Sequence, residues 1–185
     1  MKCLIIAIGL AAALTVSGAQ AMTVAVVGDS ISLGLARELA RLDDANKVKS
    51  WGVTGSGLTS TRRVSWPERA AEVAASRPNV VIVQIGTNDA VGSLPRDYRG
   101  RVAAFLAPFR GTHLICLRPL PPVRRDIVRG MPAVEAALRE GCRKAGAEWL
   151  DVSMVPASEW AGDGVHLTAS GYGRLAKSAL AALKR

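Results

Sequence analysis

Two stretches, TVAVVG at 23–28 and VVIVQIG at 80–86, are nearly unbroken runs of β-branched and other apolar residues. A strand with one face in water alternates apolar and polar side chains. A continuous run is what a strand reads as when both of its faces are covered, and that is the condition of a parallel sheet sandwiched between helices. KVKSWG (47–52), HLICLRP (113–119) and AEWLDV (147–152) are three further strand candidates. Between them lie ISLGLARELARL, WPERAAEVAASR, DYRGRVAAFLAPFR and PAVEAALREGCRKAG, each with apolar residues three and four apart, the spacing of an amphipathic helix. Pro67 and Pro132 fall in the first turns of two of these helices, where proline is tolerated. A last helix is expected from about Thr168 to Leu183. Strand and helix alternating in this way predict an α/β fold, with helices on both faces of a five-stranded parallel sheet.

Residues 1–21 read as a secretory leader: Lys2, an apolar run, and Ala19-Gln20-Ala21 as a small-x-small cleavage site. The expected organisation is a signal peptide over 1–21 and a single domain over 22–185, in the periplasm or secreted. The domain is expected to be a monomer. The formal net charge of +9 would be +8 without Lys2, which suits contact with an anionic membrane or cell-wall surface. No basic run carries interleaved aromatics, so nucleic acid is not an expected partner. Cys116 and Cys142 remain in the domain. An oxidising compartment would permit a disulfide, but the pair reads more simply as two buried thiols. There is no C-x-x-C, so no metal site is expected.

The longest irregular stretches, 52–65, 119–131 and 153–167, all follow strands, and ligands of open parallel sheets bind at the strands' carboxyl ends. Ser30 follows the first strand directly and opens the first helix. Its hydroxyl reads either as a cap of that helix or, with its own N–H, as a nucleophile and an oxyanion donor. Of the two histidines, His113 opens a strand at the opposite edge, whereas His166 in GDGVHLTASGY follows the fifth strand. Asp163, three residues earlier, can bind its Nδ1–H and fix the tautomer. Asn88, after the third strand in GTNDA, can donate a side-chain amide to an oxyanion, and Asp89 is expected to bind the backbone of the same turn. The turn SWGVTGSGLTS supplies Gly52, Gly55 and Gly57, any of which lets backbone approach a substrate. Trp51 and Trp66 could line a substrate site. Arg118, Arg124, Arg125 and Arg129 are expected beside it, where some would favour anionic substrates such as lysophospholipids.

GDSISLG, the glycine-rich turn, GTND and DGVH, in this order over about 24–180, resemble the four blocks of the SGNH hydrolases, also called GDSL esterases. The resemblance implies a flavodoxin-like three-layer α/β/α sandwich and a serine hydrolase without metal or cofactor. It implies a catalytic triad of Ser30, His166 and Asp163, with an oxyanion hole from Ser30, a block-two glycine and Asn88. The activities implied are esterase, thioesterase, lysophospholipase or carbohydrate deacetylase, the short loops resembling the small periplasmic thioesterase/lysophospholipase branch. Acyl transfer to a sugar hydroxyl and an inactive ligand-binding module are the alternatives. Block two usually reads Asn-x-Gly-x-Ser-Gly; here Ser50 stands in the asparagine position. Spacing favours Gly55 as the donor, and Gly57 is the alternative.

Overall fold

In a computed structural model of the chain, described over residues 20–60, 62–152 and 155–185, five strands form one parallel sheet. They are β1 (Thr23–Gly28), β2 (Lys47–Gly52), β3 (Val80–Gln84), β4 (His113–Leu117) and β5 (Glu148–Leu150), in the order β2-β1-β3-β4-β5. The helices are α1 (Ser30–Leu42), α2 (Trp66–Ala75), α3 (Tyr98–Leu106), α4 (Arg125–Val128), α5 (Met131–Lys144) and α6 (Ala169–Leu183). The leader expected over 1–21 lies almost wholly outside the described residues.

The uninterrupted apolar strands do what their composition demands. Val24 and Val26 of β1 and Ile82 of β3 pack against Leu35 and Leu39 of α1 and Leu175 and Ala179 of α6. The alternate residues Ala25, Val27, Val81 and Val83 face α2, α3 and α5 through Ala70, Val102, Phe105 and Val134. The result is the three-layer α/β/α sandwich, with the expected flavodoxin-like strand order. Trp66 is buried in the second layer, edge-on to Phe105 with ring centroids 5.4 Å apart.

β1 and β2 run over the residues expected of them, but the other three strands are shorter than their apolar runs. β3 ends at Gln84, whose carbonyl accepts from Asp29 N–H at 3.2 Å, and Gly86, at φ +119°, then turns the chain. Gly28 sits at this junction with φ +148°, and a Cβ there would stand 1.7 Å from the Gln84 carbonyl oxygen. The exit of β1 therefore requires glycine. A second close approach joins the helices of the first layer: a Cβ on Gly34 of α1 would lie 2.2 Å from the Tyr172 ring of α6. Within the stretch expected to be irregular, 119–131, the chain folds α4, whose Ile127 reaches the core.

The cysteines are not free thiols. Cys116 of β4 and Cys142 of α5 form a disulfide. The alternation of β4 turns Cys116 toward the layer that holds α5, and the Cα atoms come within 6.4 Å, inside the bridging range. Sequence spacing carries no information on that approach. The bridge closes a segment of 26 residues, so its loss should lower stability by about 3 kcal/mol. Denaturant unfolding of Cys116→Ala/Cys142→Ala against the oxidised parent checks this, and equal midpoints would show that the bridge does not stabilise the fold.

Candidate active site

The site lies where β1 and β3 diverge to opposite directions of connection, the crevice in which parallel α/β sheets bind ligands. The first structural element of the site is Asp29, which is fully buried. One carboxylate oxygen accepts from Ile31 N–H at 3.0 Å and so caps α1. The other accepts from Thr87 N–H at 3.1 Å, at the exit of β3. Since Asp29 rather than Ser30 is the cap, the Ser30 hydroxyl remains free on the first residue of α1. Burial pushes the Asp29 carboxyl up to about 6, opposed by the two backbone N–H groups and reinforced by nearby Asp89.

Ser30 Oγ lies 2.8 Å from His166 Nε2. His166 Nδ1 lies 2.6 Å from Asp163 Oδ2. The other oxygen of Asp163 accepts from the N–H groups of Val165 and His166, each at 2.9 Å, so the carboxylate is fixed by its own turn. The hydrogen bond from the imidazole, then these two, hold the Asp163 carboxyl far below the usual carboxylate range. The turn is tethered in its own right: Ala161 N–H donates to His166 O at 2.8 Å, and Thr168 caps α6 two residues beyond the imidazole.

Ser30, Gly55, Asn88, Asp163 and His166 line one cleft of about 220 Å³, together with Thr54, Val91, Arg124, Ile127 and Val165. Gly55 has φ +65°, a backbone conformation that glycine adopts without strain. The Asn88 amide donates to Ser56 O at 2.8 Å, which fixes its plane and leaves one N–H uncommitted among the described residues. Gly57 does not line the cleft; a Cβ there would stand 2.3 Å from Asp89 Oδ1. Asp89 reaches further than its own turn. It accepts from Leu58 N–H at 3.0 Å, Thr59 N–H at 2.8 Å and Tyr98 O–H at 3.0 Å, so it pins the glycine-bearing loop to β3. Burial and this carboxylate push the Tyr98 hydroxyl well above its ordinary range.

The expected substrate residues divide. Arg124 lines the cleft. Arg118 does not: it pairs with Glu135 at 3.0 Å and Asp151 at 3.2 Å, beside α5 and β5. Trp51 is half-buried against the core under the Arg69 guanidinium, 5.6 Å from its centroid, and is not a cleft residue. Trp66 is buried core, as above. Sequence reasoning missed Thr54, Val91, Ile127 and Val165, small or apolar side chains that nothing in the chain marks as exceptional.

The GDSL-like lipase/acylhydrolase family model matches residues 25–174. A GDSL-like lipase from Bacteroides thetaiotaomicron is 20% identical at TM-score 0.70, covering 88% of each chain. An acetylxylan esterase from Geobacillus stearothermophilus is 16% identical at TM-score 0.65, covering 86% of this chain and 93% of its own. Catalytic mutants of that esterase replace an aspartate and a histidine three positions apart. A carbohydrate acetylesterase from Sinorhizobium meliloti is 15% identical at TM-score 0.69, covering 89% and 100%. Among curated proteins no sequence match is found.

Asp29 gives a pH signature. Between about pH 4 and 6 the native state holds a proton that an unfolded aspartate, with its ordinary value of 3.8, has released. Stability therefore falls as pH rises through that window, on the order of 3 kcal/mol from this group. Asp29→Asn should remove this slope. It should also destabilise by about 1–3 kcal/mol at pH 4, because an amide cannot accept from both N–H groups as it is oriented for one. Unfolding midpoints of parent and variant at pH 4 and pH 7 test both statements.

Proposed function

Because this chain belongs to the GDSL-like lipase/acylhydrolase family, we propose that it hydrolyses short-acyl carboxylic esters through an acyl intermediate on Ser30. The observation that carries the reading is the continuous chain from Ser30 Oγ to His166 Nε2 at 2.8 Å and from His166 Nδ1 to Asp163 at 2.6 Å. In this reading His166 accepts the Ser30 proton as Oγ bonds to the ester carbonyl carbon. Asp163 holds the tautomer and stabilises the imidazolium. The tetrahedral oxyanion is met by the N–H groups of Ser30 and Gly55 and the free N–H of Asn88. The bond to the alcohol then breaks, and His166 returns the proton to the departing oxygen. Water, deprotonated by His166, repeats the sequence on the acyl-enzyme and releases the acid.

The acyl group is inferred from the cleft. Its volume of about 220 Å³ lies below the usual range of roughly 300–1,000 Å³ for sites that enclose a drug-sized ligand. Val91, Ile127 and Val165 give it an apolar lining suited to an acetyl or similar group. This favours an acetylesterase over the lysophospholipase or thioesterase reading, and the Geobacillus and Sinorhizobium acetylesterases support the same direction. A leader at 1–21 and the Cys116–Cys142 disulfide fit work outside the cytoplasm.

A p-nitrophenyl ester series from acetate to palmitate tests the reading. Turnover should be highest on the shortest acyl groups, Ser30→Ala should abolish it, and Asn88→Ala should lower it by about 10²–10³-fold. Undiminished turnover by Ser30→Ala would remove the nucleophile, and a preference for palmitate would remove the short-acyl assignment.

A further inference from the structure

One wall of the cleft is made by residues 90–93 and by α4 with its flanks. Val91, Arg124 and Ile127 face the catalytic serine's side. Beyond them, Gly92, Ser93, Arg125, Asp126 and Arg129 line a second hollow of about 550 Å³. Val91 is 53% exposed, so the wall between the two hollows is a low apolar ridge rather than a partition.

The charges of this second hollow do not cancel. Arg124 grips Asp126 with two donors, Nε at 3.0 Å and Nη2, and that pair is neutral as a unit. Arg125 and Arg129 are four residues apart, and both are exposed. Neither makes an ion pair or a side-chain hydrogen bond among the described residues. Arg101, Arg118, Arg139 and Arg174 are each committed to a carboxylate, whereas Arg77, Arg96, Arg110 and Arg143 make no ion pair among the described residues; what sets Arg125 and Arg129 apart is that they line one hollow beside the cleft.

The segment carrying the two arginines is anchored to the catalytic parts at both ends. The N–H groups of Val123 and Arg124 donate to Gly164 O at 3.1 and 3.3 Å, next to Asp163. Gly130 sits so tightly on the turn after Asn88 that a Cβ would stand 2.1 Å from Ala90 O. The backbone that carries Arg125 and Arg129 is thus tied to both the acid–base turn and the oxyanion turn.

We propose that Arg125 and Arg129 form an anion subsite for the alcohol part of the ester. The favoured substrates are short-acyl esters whose alcohol carries a fixed carboxylate or phosphate. The alcohol crosses the Val91 ridge while the acyl group sits at Ser30. Guanidinium forks match both kinds of oxyanion. The proposal rests on the reading of Ser30 as the acylated nucleophile.

The test compares kcat/KM for 1-acetylglycerol, 1-acetylglycerol 3-phosphate and O-acetylglycerate. The charged esters should be favoured over the neutral one by about tenfold or more at low salt, and the advantage should shrink as ionic strength rises. In Arg125→Ala/Arg129→Ala the charged-to-neutral ratio should fall toward one, and in Arg125→Glu/Arg129→Glu below it. The stronger response of phosphate or carboxylate identifies the anion. A parent ratio near one, or a ratio unmoved by the double substitutions, overturns the subsite. Titrations of glycerol 3-phosphate and of glycerate into Ser30→Ala protein, with and without the two arginines, read the subsite without turnover. If no ester is hydrolysed but this binding depends on the arginines, the hydrolase reading falls and takes the ester-selecting role with it, leaving an anion site alone. If neither glycerol 3-phosphate nor glycerate binds, the subsite falls whatever Ser30 does.

Discussion

The buried carboxylate of Asp29 is the contact on which the site depends. It takes one N–H from the first turn of α1 and one from the exit of β3, and so holds together the two chain segments that part company at the sheet's switch point. Ser30 stands on one of those segments and Asn88 on the other. Burying an ionisable group without a cation is unfavourable, and the raised value of about 6 records that cost. The two backbone donors offset part of it, and they are groups that would otherwise be orphaned in a water-free place. Asp89 performs a similar task one step further out, fastening the loop of Gly55 to the end of β3 and to Tyr98.

Much of this was legible in the sequence, for physical reasons that can be named. β1 and β3 were readable because a strand covered on both faces has no polar alternation to keep. Ser30 and Asn88 were readable because each lies just after a strand, and Asp163 and His166 because they lie in the long connection from β5 to α6; parallel strands deliver their carboxyl ends to one edge. What escaped depended on approach between distant segments. The disulfide requires knowing that β4 and α5 are neighbours with facing cysteines. The tie from Asp89 to Leu58 and Thr59 spans some thirty residues, so it looked like a local turn contact. Arg118 follows β4 at the same sheet edge, yet its guanidinium is taken up by Glu135 and Asp151 and does not line the cleft. Trp51 sits on a strand whose neighbour helix brings Arg69 over its ring, and that packing has no signature in spacing.

In the proposed reaction the two halves of an ester would meet different surroundings. The carbonyl and acyl part would enter a small cleft in which Val91, Ile127 and Val165 supply the apolar lining. The surface beyond Val91 is open and carries unneutralised guanidinium groups. The recess is assembled from short loops on a rigid sheet, so its size is set by a few side chains of the 90–93 and 119–131 segments. Those segments can change without disturbing the strands, and they are where chains of this architecture can diverge in what they accept.

The contact between Gly34 and Tyr172 joins the two helices that adjoin Ser30 and His166. Ser30 is the first residue of α1, and His166 stands just before the cap of α6. The missing side chain at Gly34 lets these two helices lie ring against backbone, one turn beyond Ser30. The aromatic ring acts as a spacer between them. Any residue larger than glycine at position 34 would push those helices apart, and the disturbance would start in the packing of the layer rather than at either side chain.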